Sequence, residues 1–311
     1  MTTRTDDEAA TAPSETTRPG SRRQRFALPP ILVAALGPIQ WGVNPLVVTE
    51  LTVPGRFILT ALCSTLPVGL VMTAATRSLP SGAWWWRYLI LSWCNFAIST
   101  PLFYYGMQHM PGGIATLLIA TQPLFAMLLS LPILGVRPTR AQLCAVAAGI
   151  AGVGLVVFKG HARIDLLASA LLLFSAMTAA LGLVLTKRWS PPVSAIRHNG
   201  WQLLLAGLTL LPMTFFLEGF PAHITWRNVL GFAIIGFVSK LLGFAAMFRS
   251  VPTIGATSAA ILTLLTPTTA FVLGFLFKDE TLGAQQWLGV ALVVGAVVLA
   301  GTGASSRRAR R

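Results

Sequence analysis

The chain has 311 residues, 54% hydrophobic and only 10% charged, with a formal net charge of +14. Soluble domains are about 25% charged, so this composition excludes an ordinary soluble globule. Repeated apolar runs of about 20 residues, each able to cross roughly 30 Å of hydrocarbon, point instead to a polytopic helical membrane protein.

Much of the positive charge lies in the two tails, at Arg4, Arg18, Arg22, Arg23 and Arg25 and at Arg307, Arg308, Arg310 and Arg311. Beside membrane spans such charge sets orientation, and no nucleic-acid partner is expected. Residues 1–27, rich in Thr, Ser, Pro and charge, read as a disordered basic cytoplasmic tail. The apolar run from Leu28 contains Pro and Gln and is long enough to span, so it reads as a retained first helix. Apolar length and breaks at Pro, Gly and charge predict ten spans, at 28–48, 54–74, 85–105, 112–134, 141–158, 166–186, 198–217, 228–248, 254–276 and 285–303. Residues 304–311 form a second basic tail.

Ten spans place both termini on one side. That side then holds the tails with Arg77, Arg87, Arg137, Arg140, Lys187, Arg188, Arg197 and Arg249. The other side holds Arg56, Lys159, Arg163, Arg227 and Lys278. The positive-inside rule makes the first side cytoplasmic, and the Trp84-Trp85-Trp86 run fits an interfacial aromatic belt. Cys63, Cys94 and Cys144 all fall in apolar runs and read as packing residues.

The chain repeats itself at an offset of 144: Pro123 and Pro267, Gln142 and Gln286, Ala115 and Ala259 correspond. The matches fall in spans four-to-five and nine-to-ten, which divides the membrane part into five-helix halves, 28–158 and 159–303. Five is odd, so the second half must be inserted upside down. The expected fold is all-α and integral to the membrane, with ten helices as two inverted five-helix repeats, a transporter architecture.

The stretches "WGVNPLVVTELTVPGR" (41–56), "MPGGIATLLIATQPL" (110–124) and "KDETLGAQQWLG" (278–289) resemble the EamA-type branch of the drug/metabolite transporter superfamily. Glu50, Pro54 and Arg56 further resemble a subgroup of blue-pigment (indigoidine) exporters. Two positions depart from the family pattern: Val136 stands where a Glu follows helix four, and Ser239-Lys240 stands where helix eight often carries Gly-Thr. The resemblance implies a central cavity lined by helices three, four, eight and nine. Those helices supply Asn95, Ser99 and Tyr104, then Thr116, Thr121 and Gln122, then Ser239 and Lys240, then Thr263 and Thr266. Each hydroxyl either lines that cavity or bonds a neighbouring helix.

Pro123 and Pro267 lack an N–H, so they should free the carbonyls of Ile119 and Thr263 and kink their helices, as gating bends or as static shape. Rows of small residues (Gly149, Gly152 and Gly154; Gly289 and Gly295) permit close helix contact, within the chain or in a homodimer. All nine carboxylates fall outside the span interiors, so a buried acid is not expected to couple protons. Glu50 and Arg56 flank one outer turn and could pair there, and His109 reads as a surface residue.

Lys240 is the outlier, an ammonium within "IIGFVSKLLGFAAMF" (234–248), opposite Phe96 in the other half. It is expected either to face water and an anionic group of the substrate, or to serve as a structural amine bonded to Asn95, Gln122 or a freed carbonyl. Enzyme chemistry is not expected: His161 and Asp165 are the one nearby His–acid pair, without a metal-binding partner. There is no GxxxxGK[ST] loop, and no cofactor is expected. The reading is a secondary transporter in a bacterial cell membrane, exporting a small organic metabolite or natural product by alternating access, with that solute and the lipid as its partners. Uptake or exchange of an amino acid or anionic metabolite, and a non-transporting sensor, are the alternatives.

Overall fold

The computed structural model describes residues 30–137, 140–158, 165–246, 262–263, 265–279 and 283–308, and no strand occurs among them. The expected N-terminal tail, His161 and its loop, Ala259 with the start of the ninth span, Glu280, and the last three residues lie outside the described residues.

Helix α1 (Pro30–Leu51) is followed by α2 (Phe57–Thr76), which stops at Arg77 in a left-handed conformation. Helix α3 (Trp84–Ser92) widens into a π-helical turn at Trp93–Ala97 before α4 (Ser99–His109). The predicted fourth span is two helices, α5 (Gly112–Ile119) and α6 (Gln122–Leu134), separated at Ala120-Thr121. Helix α6 ends on Gly135, whose positive φ of 68° suits a residue without a side chain.

Helix α7 (Arg140–Phe158) precedes α8 (Leu166–Trp189), which starts where the Asp165 carboxylate accepts the N–H groups of Leu167 and Ala168 at 2.8 and 3.2 Å. Helix α9 (Ala195–Met213) ends in a π turn at Thr214–Glu218. Helix α10 (Trp226–Ala233) begins with a reciprocal Thr225–Asn228 cap and runs into a π-helical stretch at Ile234–Gly243. Helices α11 (Leu265–Lys278) and α12 (Ala284–Arg308) complete the described chain. Helix α12 passes the predicted end at 303, because Ala304-Ser305-Ser306-Arg307 contains no residue that breaks a helix.

Six of these helical segments are long and apolar enough to cross a membrane: Ile31–Leu51, Phe57–Thr76, Gly112–Leu134, Leu166–Trp189, Ala195–Glu218 and Trp226–Ala246. This is a multi-pass membrane protein. Large apolar side chains such as Leu36, Leu70, Leu183, Leu208 and Val272 remain exposed on its outside, where lipid replaces the solvent that would make them costly.

Helix α2 runs along α9 and α7 along α12; α1 meets α11, and α6 meets α8. Between α7 and α12, Gly152 lies so close to the Gly289 carbonyl that a Cβ there would sit 2.8 Å from its oxygen. The expected small-residue contact at these glycines is therefore made within one chain. The core is centred on Tyr104, Met107, Ile114, Leu117 and Leu118, with Leu172 and Leu210 closing it from α8 and α9.

Candidate functional site

The π-helical stretch of α10 packs against α1 and α2. Its glycines allow this: a Cβ on Gly236 would lie 2.9 Å from the Ser64 carbonyl oxygen, and one on Gly243 would lie 2.8 Å from Trp41 Nε1. Between those contacts sits Lys240, 7% exposed. Its ammonium donates to Ser64 Oγ at 3.0 Å and Thr65 Oγ1 at 2.5 Å, and lies 5.7 Å from the centre of the Tyr104 ring. Ser64 in turn donates to the Thr60 carbonyl at 2.7 Å and has the Tyr104 hydroxyl at 3.4 Å. Among the described residues, no carboxylate is paired with this ammonium.

Ser239, on the adjacent face of the same turn, continues the cluster toward α1. Its hydroxyl accepts from Gln40 Nε2 at 2.7 Å and donates to Asn44 Oδ1 at 2.6 Å, while Trp41 Nε1 donates to its carbonyl at 3.1 Å. The side-chain amide oxygen of Gln40, Oε1, is buried and has no hydrogen-bond partner among the described residues. A cation and an aromatic face thus meet between α2, α4 and α10, one residue along α10 from the hydrogen bonds that Ser239 makes to α1.

Sequence reasoning found Lys240, Ser239 and Tyr104, and the structure brings these three together. It missed Ser64, Thr65, Gln40, Trp41 and Asn44. As a structural amine, Lys240 was expected on Asn95, Gln122 or a freed carbonyl; its partners are Ser64 and Thr65, because α10 presses on α2 at Gly236. Asn95 lies in the π turn after α3 and donates to Gln202 Oε1 at 2.7 Å.

The other candidates lie elsewhere. Gln122 is half-buried at the start of α6. Thr121 donates to the Leu118 carbonyl and Thr116 to the carbonyls of Gly112 and Gly113, so both serve their own helix. Ser99 meets Ser175 of α8, an interhelical hydrogen bond. Thr266 donates to the Pro38 carbonyl of α1 at 3.1 Å, and Thr263 is half-buried in the turn before α11.

Pro123 and Pro267 do not kink continuous helices. Each sits in the first turn of a new helix, where a missing N–H costs nothing because no partner would exist for it. The Thr263 carbonyl is not freed either, since it accepts the Thr266 N–H at 3.1 Å. A turn precedes each of these helices, at Ala120-Thr121 and at Thr263.

At the end of the bundle near Gly55, Glu50 and Arg56 do not pair with each other. Glu50 pairs with Lys278 at the end of α11. Arg56 donates to the Gly219 carbonyl at 2.7 Å, drawn to the negative end of the α9 segment. The Glu218 carboxylate accepts the N–H groups of Ile58 and Leu59, both at 2.8 Å, and so caps α2 from another helix. A cleft on this side is lined by Gly42, Pro45, Thr49, Met110, Leu273 and Lys278. No group of residues able to hold a metal ion occurs among the described residues.

A family profile described as "EamA-like transporter family" matches residues 28–158 and again 166–302. Protein PecM of Dickeya dadantii is 30% identical over 86% of this chain and 90% of its own length. The uncharacterized inner membrane transporter YedA of Escherichia coli is 28% identical over 62% of each chain. A protein of Streptantibioticus cattleyicolor named as a probable terminal-alkyne amino-acid exporter is 29% identical over 63% of this chain and 66% of its own. A solved crystal structure of 16% identity superposes with a TM-score of 0.59 over 91% of this chain and 99% of that one, which shows a shared fold.

Proposed function

The chain belongs to the EamA-like transporter family, and from that premise we propose that it is a secondary exporter of small organic metabolites that uses Lys240 to hold an anionic group of its cargo. The observation that carries this reading is the Lys240 cluster itself. An ammonium at the centre of a membrane helix costs about 2.5–3.5 kcal/mol on insertion scales. Here two hydroxyls and an aromatic face solvate it in place of a carboxylate. A cargo carboxylate or other electron-rich group supplies the missing counter-charge.

Alternating access then follows from ten helices arranged as two inverted halves, 28–158 and 159–303. The packing supports this reading. The π turn after α3 rests on α8 and α9, while the corresponding stretch of α10 rests on α1 and α2. Equivalent contacts of this kind would let the two halves exchange roles, and the turns before α6 and α11 would give each half a joint near its middle. Cargo bound to Lys240 would face one side when one set of contacts parts and the other side when its counterpart does. Both termini lie in the cytoplasm of a bacterial cell on this account, as the distribution of Arg and Lys favours. The name of the Streptantibioticus relative supports an amino-acid cargo as the second reading, with the carboxylate on the same ammonium.

The test is untargeted metabolite profiling of cells with and without the protein, inside and outside. Export predicts compounds bearing an acidic or electron-rich group that rise outside and fall inside when the protein is present. The reverse pattern makes it an importer. An unchanged profile, with no flux in vesicles, rejects transport.

A further inference from the structure

The end of the bundle that carries Arg77, Arg87, Lys187, Arg188 and Arg197 holds a second polar cluster, independent of the cargo proposed above. His198 sits in the first turns of α9 and is half-buried. Tyr88 of α3, fully buried, has its hydroxyl 3.1 Å from His198 Nδ1, and Trp201 packs edge-on against the Tyr88 ring. On the other ring nitrogen, Gln202 Nε2 lies 2.8 Å from His198 Nε2 and also donates to the His198 backbone carbonyl at 3.1 Å. Gln202 Oε1 accepts from Asn95 Nδ2 at 2.7 Å. Asn95 lies in the π turn after α3, with its amide against Gly182 of α8, where a Cβ would collide with it.

The direction of this chain is fixed by one group. A backbone carbonyl only accepts, so the Gln202 amide must turn its NH₂ toward His198. His198 Nε2, facing the same NH₂, must then be bare, and the ring hydrogen sits on Nδ1 and points to the Tyr88 oxygen. The order of donation is Asn95 to Gln202 to His198 to Tyr88.

This arrangement has no place for a second ring proton. A hydrogen on Nε2 would oppose the Gln202 NH₂. Turning that amide would set its oxygen against the His198 carbonyl and its NH₂ against that of Asn95. Asn95 would have to turn as well, against Gly182, or the chain would part.

We propose that His198 is a proton-binding site whose occupancy Gln202 passes to Asn95, so that a proton arriving from the basic end of the bundle favours parting of α3 from α9. The proton comes from hydronium at that end: one O–H bond of hydronium breaks, an N–H bond forms on the lone pair of Nε2, and water is left. Among the elements packed on α9, Tyr88 is the titratable group that touches the ring. Arg77 and Cys63 belong to α2, Arg87 to α3, Cys94 to the π turn, Glu218 to the far end of α9, and Arg197 to α9 itself. Arg87 lies over Trp84, Trp86 and Trp189. Among the described residues, neither a cation nor a carboxylate is hydrogen-bonded to the imidazole.

The experiment uses the full chain in lipid nanodiscs with ¹⁵N-labelled histidine, between about pH 8 and pH 3, which extends below ordinary histidine titration. A spin-label pair at the exposed residues Trp85 and Arg197, in a background with its cysteines replaced, reports the α3–α9 distance. The signal absent from His198→Gln should show a bare Nε2 and a protonated Nδ1 at high pH. As it gains its second proton, the Trp85–Arg197 distance should lengthen. In Gln202→Leu the ring should still titrate, but the distance should no longer follow. A ring protonated on Nε2 at high pH overturns the proposal, as does a distance that ignores pH in the unaltered protein or shifts equally in His198→Gln.

Discussion

The π-helical turns after α3 and within α10 occupy corresponding places, with Asn95 opposite Ser239 and Phe96 opposite Lys240, each pair 144 residues apart. Both turns present a polar residue to the neighbouring helices, and there the likeness ends. At Phe96 the surroundings are Val68, Met72 and Leu203, an apolar contact that needs no solvation. At Lys240 they are Ser64, Thr65 and the Tyr104 ring. The same backbone device serves two purposes, because Lys240 meets the hydroxyls of Ser64 and Thr65 on α2, while Phe96 meets Val68 and Met72 further along that helix and Leu203 of α9. A π turn allows either, since its widened backbone aims a side chain that a regular helix would turn elsewhere.

Moving the charge from one turn to the other should have the largest effect. Phe96→Lys places an ammonium among Val68, Met72 and Leu203, and should lose about 2.5–3.5 kcal/mol, seen as a fall in folded yield and thermal midpoint. A variant as stable as the parent would mean that the two environments do not differ as described.

A smaller loss is expected from Thr65→Val, which removes one acceptor from the ammonium and should cost about 1–3 kcal/mol in chemical or thermal unfolding. Pairing it with Lys240→Met should recover most of that loss. A double variant showing the two losses simply added would disconnect the residues.

Asn95→Ala removes a single interhelical hydrogen bond, for which about 0.6 kcal/mol is the usual scale, so the thermal midpoint should fall only slightly. A loss as large as that of Thr65→Val would make the two turns equally important to stability. Smallest of all, Glu50→Gln should change stability by about 0.2–0.5 kcal/mol, and less at high salt, because both partners of that ion pair are substantially exposed. Titration of the unfolding midpoint with salt checks this.

Lys240 was legible because a lone charge in an apolar run stands out at the level of sequence. Its acceptors were not. Thr60, Ser64 and Thr65 look alike in α2, and Thr60 bonds its own helix at the Arg56 carbonyl; choosing among them requires knowing that Gly236 brings α10 onto α2. The break at Ala120-Thr121 was hidden in a run of continuous apolar character, and only Pro123 hinted at it. The capping of α2 by Glu218 and the pairing of Glu50 with Lys278 join residues 160 and 228 positions apart, beyond any local pattern. His198 and Gln202 left a readable trace in their spacing of four on one helix face. It passed unnoticed because "AIRHNGWQ" looks like an interfacial helix start, where polar residues are ordinary.

The proposed contact of Lys240 with the cargo is open to measurement. The direct measurement is the initial rate of efflux, from vesicles holding the identified metabolite, for the unaltered protein and for Lys240→Met at equal folded amounts. Loss of a hydrogen bond from a charged group, about 1.5–3 kcal/mol, predicts a rate lower by roughly 10- to 100-fold, with the thermal midpoint unchanged or raised. Efflux of the same metabolite at the parent rate would contradict it.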